Sequence, residues 1–381
     1  MNKDTKKRKV KSVSLETFIF LAILIGGFVY IANIMGAGIM FKVLMNTAHD
    51  LLLNTVFLIM SMAVLAGALS SLLSEFGVIS LLNKIFAIFM KPLYGMPGAS
   101  IAGAITTYLS DNPAIIAFAK DKSFTKYLKD YQVPALCNLG TSFGMGLILT
   151  TFMISQGSEF VLPAIIGSIV SVRIMMRFTK KAYNYKKEEV ETIQKEKVKD
   201  LREIRDGNTF QRALDAMLEG GKNGVELGIA IIPGVLIVCT LVMILTFGPS
   251  TDPLTGEAIY TGAAYEGIRI LPVIGEKLSF ILDPLFGFTS PEAIAFPITS
   301  LGAVGAAMSL VPQFITDGIV TANDIAVFTA MGMCWSGYLS THVGMMDALD
   351  ARHLTGKAII SHTIGGICAG ISAHFIFMLL I

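Results

Sequence analysis

The chain has 381 residues, of which 53% are hydrophobic and 15% are charged, and its formal net charge is +2. A soluble domain usually carries about 25% charged residues, so this composition excludes an ordinary soluble globular protein. The small net charge gives no indication of nucleic-acid binding. The four cysteines lie in apolar segments without CxxC spacing, which indicates neither a disulfide framework nor a metal site.

The first apolar segments are long enough to cross a membrane. Residues 17–41 and 51–74 contain no Asp, Glu, Lys or Arg, and a helix needs roughly 20 residues to cross the hydrocarbon layer. The sequence therefore predicts an all-α polytopic membrane protein. Basic residues in the tail, 1–16, favour a cytoplasmic N-terminus. We expect residues 17–42 to form a retained first transmembrane helix, because their apolar run is too long for a signal peptide.

One passage occurs twice in the chain. Residues 91–95 read Lys-Pro-Leu-Tyr-Gly and are followed by Ala-Ile-Thr-Thr at 104–107. Residues 283–287 read Asp-Pro-Leu-Phe-Gly and are followed by Pro-Ile-Thr-Ser at 297–300. Proline, glycine and small hydroxyl residues thus interrupt two apolar segments in corresponding places. This pattern is typical of the binding sites of transporters built from repeats.

Two matching series of elements surround these passages. The first consists of a helix at 51–74, an amphipathic stretch at 78–90, a broken segment at 94–119, and helices at 132–155 and 160–176. The second consists of a helix at 223–248, a short stretch at 271–283, a broken segment at 287–312, and helices at 323–346 and 357–381. Basic residues flank the first broken segment, whereas an acidic loop precedes the second, so the two series should have opposite orientations.

The sequence therefore predicts an inverted-topology repeat with broken transmembrane helices. The two repeats are expected at 45–176 and 223–381, with a charged and partly helical cytoplasmic connector at 177–222. Each broken segment is either a re-entrant helical hairpin or a full crossing, and hydropathy does not distinguish the two.

The first broken segment contains the polar sequence Ser-Asp-Asn-Pro at 110–113. A residue that precedes proline is disfavoured in the α region, so a break is expected at Asn112. Half-helices that meet there would present free backbone groups beside the Asp111 carboxylate, which suits an ion or a polar ligand. Alternatively, Asp111 is an ordinary helix cap at the lipid–water boundary. The binding candidates in this segment are Thr106, Thr107, Ser110, Asp111 and Asn112.

The second broken segment begins with a helix-start pattern. Ser290 is the expected N-cap, and Glu292 lies in the first turn, so Glu292 is either a first-turn acid or a ligand. The small residues at 297–307 predict either close helix packing or a hairpin tip with exposed amides. The binding candidates here are Ser290, Glu292, Thr299 and Ser300.

The helix after each broken segment carries a polar cluster and a Gly-Met pair. Aligning the pairs at 144–145 and 344–345 places Ser142 opposite His342. A single Ser or Thr in a membrane helix usually bonds to its own backbone, whereas two matched clusters favour a ligand role. The candidates in these clusters are Asn138, Thr141, Ser142, Ser340, Thr341 and His342.

The residues around both broken segments resemble the nucleoside-recognition (Gate) domain family of bacterial membrane proteins, which is related to the concentrative nucleoside transporters. The matching passages are 108–115 and 301–308. The resemblance implies two re-entrant hairpins and two broken helices that hold a solute in a sliding, elevator-type domain. Residues 111–113 stand where the nucleoside transporters have Glu-Ala-Pro, whereas Leu109 and Ser110 replace the Gln-Thr pair that contacts the base.

These features predict a secondary active transporter for a small polar solute, with nucleoside as the leading candidate and Na⁺ or H⁺ as the coupling ion. No ATP-binding motif occurs in the sequence, and neither an enzyme activity nor a cofactor is expected. The expected location is a bacterial cytoplasmic membrane, and the expected partners are the lipid bilayer, the solute and other copies of the chain in a homo-oligomer. The alternative is a Gate-fold protein that transports nothing and serves as a regulatory or assembly partner in the membrane.

Overall fold

The computed structural model describes residues 11–112, 114, 115, 119, 128–157, 162–183, 204–252 and 254–380. Within these ranges, five helical stretches are long and apolar enough to cross a membrane: Leu15–Met35, Ala37–Glu75, Asp130–Ser155, Thr209–Thr246 and Arg352–Leu380. The described strands form one short antiparallel ribbon in which Ser250 pairs with Ile259. The predicted class, an all-α polytopic membrane protein, is confirmed.

The first transmembrane helix is shorter than the sequence predicted. Helix α1 (Leu15–Met35) ends at Gly36, whose φ is +86°. Glycine adopts this conformation without steric cost, so the chain breaks there rather than at residue 42. The following residues, 37–50, belong to the next helical stretch. Most side chains of α1 are exposed on the protein surface, as expected for a helix that faces lipid.

The remaining first-half elements follow in chain order. They are α2 (Ala37–Asp50), a π-helical turn (Leu51–Val56), α3 (Phe57–Glu75), α4 (Val78–Phe89), a second π-helical turn (Met90–Tyr94), α5 (Ser100–Leu109), a 3₁₀ turn (Asp130–Gln132), α6 (Ala135–Thr141), α7 (Gly146–Ser155) and α8 (Leu162–Ala182).

The second half begins earlier than predicted. Helix α9 starts at Thr209, where the Oδ1 atom of the N-cap Asn208 accepts a hydrogen bond from the Gln211 amide at 3.0 Å. Residues 209–222, which were assigned to the connector, are therefore helical. The rest of the expected connector helix lies largely outside the described residues, as does most of the N-terminal tail.

The second-half elements are α9 (Thr209–Pro233), a π-helical turn (Gly234–Cys239), α10 (Thr240–Thr246), β1 (Ser250–Thr251), β2 (Ala258–Ile259), α11 (Ile270–Phe286), a 3₁₀ turn (Pro291–Ile294), α12 (Ala295–Gly302), α13 (Val304–Met308), α14 (Val311–Thr316), α15 (Ala322–Trp335), α16 (Tyr338–Ala348), a 3₁₀ turn (Arg352–Leu354) and α17 (Thr355–Leu380).

Glycines allow helices of the two halves to pack backbone against backbone. Helices α3 and α9 cross where a Cβ on Gly67 would lie 2.3 Å from the carbonyl oxygen of Gly220. Helices α8 and α17 meet where a Cβ on Gly167 would lie 2.4 Å from the carbonyl oxygen of Gly365. Small residues permit this close approach in membrane helices. The first and last long helices of one half thus pack on those of the other, as two halves related by a two-fold axis would.

A cluster of ion pairs joins the two halves at the end of α3. Glu75 is only 4% exposed, and its carboxylate lies 2.7 Å from the guanidinium groups of both Arg205 and Arg212. Arg205 also pairs with Glu219 at 2.5 Å. Two guanidinium groups offset the cost of burying one carboxylate, so the cluster fixes the start of α9 against α3.

Candidate functional site

Two of the helix breaks lie where the sequence predicted them. Helix α5 ends at Leu109, and Ser110 departs from helical geometry (φ −133°, ψ −107°) just before Asn112. In the second half, Ala303 is extended (φ −160°, ψ 111°) between α12 and α13. The return arm of the first hairpin is described only at residues 114, 115 and 119, so its re-entrant path stays a prediction.

Two further breaks interrupt helices that the local sequence predicted to be continuous. The helix expected at 132–155 is broken at 142–145, where Met145 has a left-handed backbone with a φ of +53°. The helix expected at 323–346 is broken at Ser336 and Gly337, the latter with a φ of +66°. Neither break contains a proline. These are the two broken helices that the family resemblance implied.

The two polar clusters do not occupy corresponding places. Asn138 lies before the first of these breaks and Ser142 at its start, whereas Thr341 and His342 lie after the second. The Gly-Met pairs therefore gave the wrong register between the repeats. Aligning the repeated passages at 91–95 and 283–287 instead brings Gly144 opposite Ser336, and both are break residues.

All four breaks meet at one cavity of about 200 Å³. The lining residues that come from the breaks include Asp111, Asn112, Met145, Ala303, Ser336 and Gly337. A single water needs about 10–15 Å³ of such space. The cavity therefore has room for a small solute as well as for an ion.

The opposite wall of the cavity comes from α9 and its π-helical turn, through Ala230, Ile231 and Gly234. The Pro-Gly pair at 233–234 is a turn signal inside an apolar helix, and it is the sequence signal that could have identified this wall. π-Helical turns within α-helices occur frequently at functional sites.

Asn112 connects the first broken segment to both broken helices. Its side chain is 1% exposed, and its Nδ2 donates to the carbonyl oxygen of Ser336 at 2.6 Å. Its Oδ1 lies so close to Gly144 that a Cβ there would be 1.3 Å away, so this contact requires glycine. Among the described residues, neither Asn112 Oδ1 nor Ser336 Oγ has a hydrogen-bond partner. Buried polar atoms are normally paired, so these oxygens are available to a water, an ion or a solute.

Asp111 lies beside Asn112 at the cavity and is partly buried. One carboxylate oxygen accepts a hydrogen bond from the Asn112 amide at 2.7 Å. Within the described part of the chain its carboxylate forms no ion pair. Among the described residues, the cavity wall therefore carries a carboxylate without a counter-charge.

Most of the predicted hydroxyl candidates bond to the backbone of their own helix. For example, Thr107 donates to the carbonyl of Gly103 at 3.0 Å, and Ser110 to that of Thr106 at 2.6 Å. The same pattern holds for Thr141, Ser142, Thr299, Ser300 and Thr341. This is the usual role of such residues in membrane helices. Of these hydroxyl residues, Thr341 lines the cavity.

Ser290 and Glu292 lie at the start of the second broken segment rather than at the cavity. Ser290 is the predicted N-cap, with its Oγ 3.4 Å from the Glu292 amide. The Glu292 carboxylate pairs with Arg269 at 2.8 Å, so its charge is already balanced. The side chain of Ser340 lies outside the described residues.

Asn138 and His342 belong to a buried polar cluster behind the cavity. Asn138 Nδ2 donates to Ser171 Oγ at 2.9 Å, and Ser171 Oγ lies 2.8 Å from Nδ1 of His362. The His342 ring lies 4.9 Å from that of His362, and neither His342 nitrogen has a partner within the described chain. Trp335 donates its indole N–H to the His362 carbonyl at 3.2 Å, so it completes the cluster.

The comparisons with known proteins concern the fold. No protein-family model matches the chain, and no curated protein sequence matches it. Among solved structures, the chain is similar to a variant of CNTnw, a concentrative nucleoside transporter, in its second intermediate state. That match has a TM-score of 0.50 at 16% identity and covers 94% of this chain and 82% of the other.

The third intermediate state of the same variant gives a similar result. Its TM-score is 0.51 at 14% identity, and the match covers 96% of this chain and 83% of the other. Identities this low show a shared fold, and a fold alone does not identify function. The arrangement of helices is thus similar to that of CNTnw, and the function has to be argued from the site.

Proposed function

We propose that this protein is a secondary active transporter that moves a small polar solute by an elevator-type mechanism. The observation that carries the proposal is the convergence of four helix breaks, two from each half, on one cavity. Non-helical backbone at membrane depth is tolerated only where protein buries it or where it lines a wet cavity. Unpaired oxygens of Asn112 and Ser336 at this cavity supply polar contacts for a solute.

The two walls of the cavity support an elevator-type movement. One wall consists of the two broken segments and the two broken helices, and Asn112 connects the first broken segment to the second broken helix through Ser336. The other wall is α9, which packs closely against α3 through Gly67 and Gly220. A solute held by the first wall would move with that unit relative to the α3–α9 pair.

Na⁺ or H⁺ is the proposed coupling ion, because the sequence contains no ATP-binding motif and Asp111 has no basic partner in the described chain. Nucleosides are the first solutes to test, since the fold is that of CNTnw. This choice rests on analogy of fold, whereas the proposal of transport rests on the cavity.

Transport can be tested by counterflow in proteoliposomes that contain the purified protein. Radiolabelled uridine, adenosine and a panel of small polar solutes would be offered with an inward gradient of Na⁺ or of H⁺. We expect at least one solute to accumulate above protein-free vesicles. Lack of exchange for the whole panel under both gradients would favour the assembly-partner alternative.

A cavity-filling variant tests whether the solute uses this cavity. A Cβ on Gly302 would meet no atom within 4 Å, so the Gly302→Leu side chain can extend into the cavity without a clash near its backbone. We expect uptake to fall at least about tenfold, a change of about 1.4 kcal/mol, while thermal stability is retained. Gly344→Leu is the matched control, because a Cβ on Gly344 also meets nothing within 4 Å and this residue does not line the cavity. Equal uptake by the two variants would contradict the assignment.

A further inference from the structure

Among the described residues, the charge of the cavity comes from a single side chain. Asp111 is the one ionisable residue among those that line it, and the other lining residues are Gly, Ala, Val, Ile, Met, Asn, Ser and Thr. A charged side chain at membrane depth costs at least about 2.5–3.5 kcal/mol unless it is compensated. No lysine or arginine of the described chain compensates Asp111.

The helix ends at the cavity do not change this balance. At Ala303 the C-terminal end of α12 meets the N-terminal end of α13, and at Ser336 the end of α15 meets the start of α16. The partial charges of a C-terminal and an N-terminal helix end have opposite signs, so they offset each other at each break. The carboxylate of Asp111 therefore leaves the cavity with a net negative charge, which disfavours an anionic solute.

Three oxygen atoms at the cavity receive no hydrogen bond from the described part of the chain. One oxygen of the Asp111 carboxylate, Oδ1 of Asn112 and Oγ of Ser336 have no hydrogen-bond partner among the described residues. A protonated primary amine has three N–H donors and one positive charge. It matches both the number of unpaired acceptors and the missing counter-charge.

The described lining residues include no aromatic side chain, so this part of the wall offers no ring on which a nucleobase would stack. Most of the remaining wall is aliphatic or glycine, which suits a short carbon skeleton.

We propose that the transported solute is a small molecule with a protonated amine, and that Asp111 is the counter-ion of that amine. This inference rests on the proposed transport function and narrows its substrate class. It predicts that charge, rather than a planar base, decides which solutes bind.

The test uses sets of solutes that have a similar size and differ in charge. Two matched sets are ethanolamine, ethylene glycol and glycolate, and glucosamine, glucose and glucuronate, with uridine and adenosine as neutral nucleosides. Binding is measured by thermal shift of the purified protein in choline buffer and in Na⁺ buffer, and exchange is measured by proteoliposome counterflow. We expect the amine of a set to bind at least about tenfold more tightly than its neutral analogue, and the carboxylate not to bind.

Asp111→Asn removes the charge and keeps an oxygen that can accept the bond from the Asn112 amide. We expect this variant to fold normally and to bind the amine and its neutral analogue within about twofold of each other. Asp317→Asn is the control, because Asp317 is exposed and bonds only to Gln313 in the described chain. It should leave the preference for the amine unchanged.

Failure of the inference differs from failure of the proposed function. If a neutral nucleoside binds equally well to the wild type and to Asp111→Asn, transport stands and the amine assignment is overturned. A second result would also overturn the amine assignment and leave transport standing. In this result a neutral solute binds only with Na⁺ or at low pH, and Asp111→Asn abolishes the dependence of binding on Na⁺ or pH. Asp111 would then hold the coupling ion. If no solute binds or exchanges at all, the transport proposal itself fails.

Discussion

The two copies of the repeated passage share a terminal left-handed glycine and differ in their capping side chains. Each copy ends a helical segment at a glycine in the left-handed region, with a φ of +69° at Gly95 and +66° at Gly287. In the first copy, the Arg173 guanidinium donates to the carbonyl oxygens of Pro92 and Leu93, and Gln132 Nε2 donates to that of Gly95 at 2.9 Å. An exposed, charged side chain therefore completes this helix end.

In the second copy, Asn323 Nδ2 donates to the carbonyl oxygens of Phe286 and Gly287 at 2.9 and 3.1 Å. The Oδ1 atom of Asn323 lies 2.9 Å from Nδ1 of His374, so two short and partly buried side chains complete this end. Arg173 and His374 both come from the last helix of their half.

The comparison shows which part of the repeat the structure needs. Both halves need a glycine that ends the helix before the broken segment, because the last carbonyls of a helix have no partner within it. The donors that satisfy those carbonyls differ in charge and length. The repeated passage is therefore a helix-ending turn in front of each hairpin, rather than part of the cavity wall.

The largest expected difference between the copies is in their tolerance of a side chain at the glycine. For Gly287→Ala, the new Cβ would lie 2.3 Å from His374 Cε1 and 2.9 Å from Asn323 Nδ2. This clash adds to the strain of a left-handed alanine, which is about 1–2 kcal/mol. We therefore expect the free energy of unfolding to fall by about 3 kcal/mol. Gly95→Ala would place its Cβ 3.1 Å from Arg173 Nη1, and that flexible side chain can shift, so only the strain remains. The measurement is the melting temperature of each variant in detergent. A lower melting temperature for Gly95→Ala than for Gly287→Ala would refute the comparison.

A smaller loss is expected when the donor of the second copy is removed. Asn323→Ala leaves the carbonyl groups of Phe286 and Gly287 without their partner. A buried acceptor left unsatisfied costs about 1–3 kcal/mol, so we expect a loss of about 2 kcal/mol. Asn323→Asp is the control for the amide: it keeps the size but removes the N–H donor, and it should be destabilised as well. A fully stable Asn323→Asp would mean that Asn323 acts by packing alone.

The smallest loss is expected for the exposed donor of the first copy. Arg173→Met keeps much of the aliphatic length of the side chain and removes the bonds to Pro92 and Leu93. Water can replace the guanidinium at an exposed position, so we expect the free energy of unfolding to fall by about 1 kcal/mol or less. Thermal unfolding would check this value, and the effect should not depend on pH between neutral and mildly acidic conditions. A loss larger than that of Asn323→Ala would show that exposure does not set the order.

The sequence carried enough information to predict the helical class, the break at Asn112 and the N-cap at Ser290. In each case a local rule applies, since proline restricts the residue before it and serine accepts bonds from helix amides. The break at Met145 could not be predicted in this way. A non-glycine residue adopts a φ of +53° there, and contacts from the rest of the fold impose it.

The alignment of the two repeats with each other was the second feature that the sequence did not predict correctly. The Gly-Met pairs suggested one alignment, but Gly144 is glycine because Asn112 Oδ1 occupies the space of a Cβ. No corresponding restriction applies to Gly344, which meets nothing within 4 Å. A shared residue type therefore had two unrelated causes. The cavity residue Ser336 was also missed, because its role depends on Asn112, a partner that is distant in the chain.

The glycine contacts between the halves have a consequence for how the protein is made. Helix α8 finds its backbone partner at Gly365 on α17, and α17 is synthesised only after all the other helices described above. The first half must therefore remain in the bilayer with an incomplete interface until α17 has been made. Insertion and final packing are then separate events in time, and a helper that shields unpacked membrane helices would act in the interval between them.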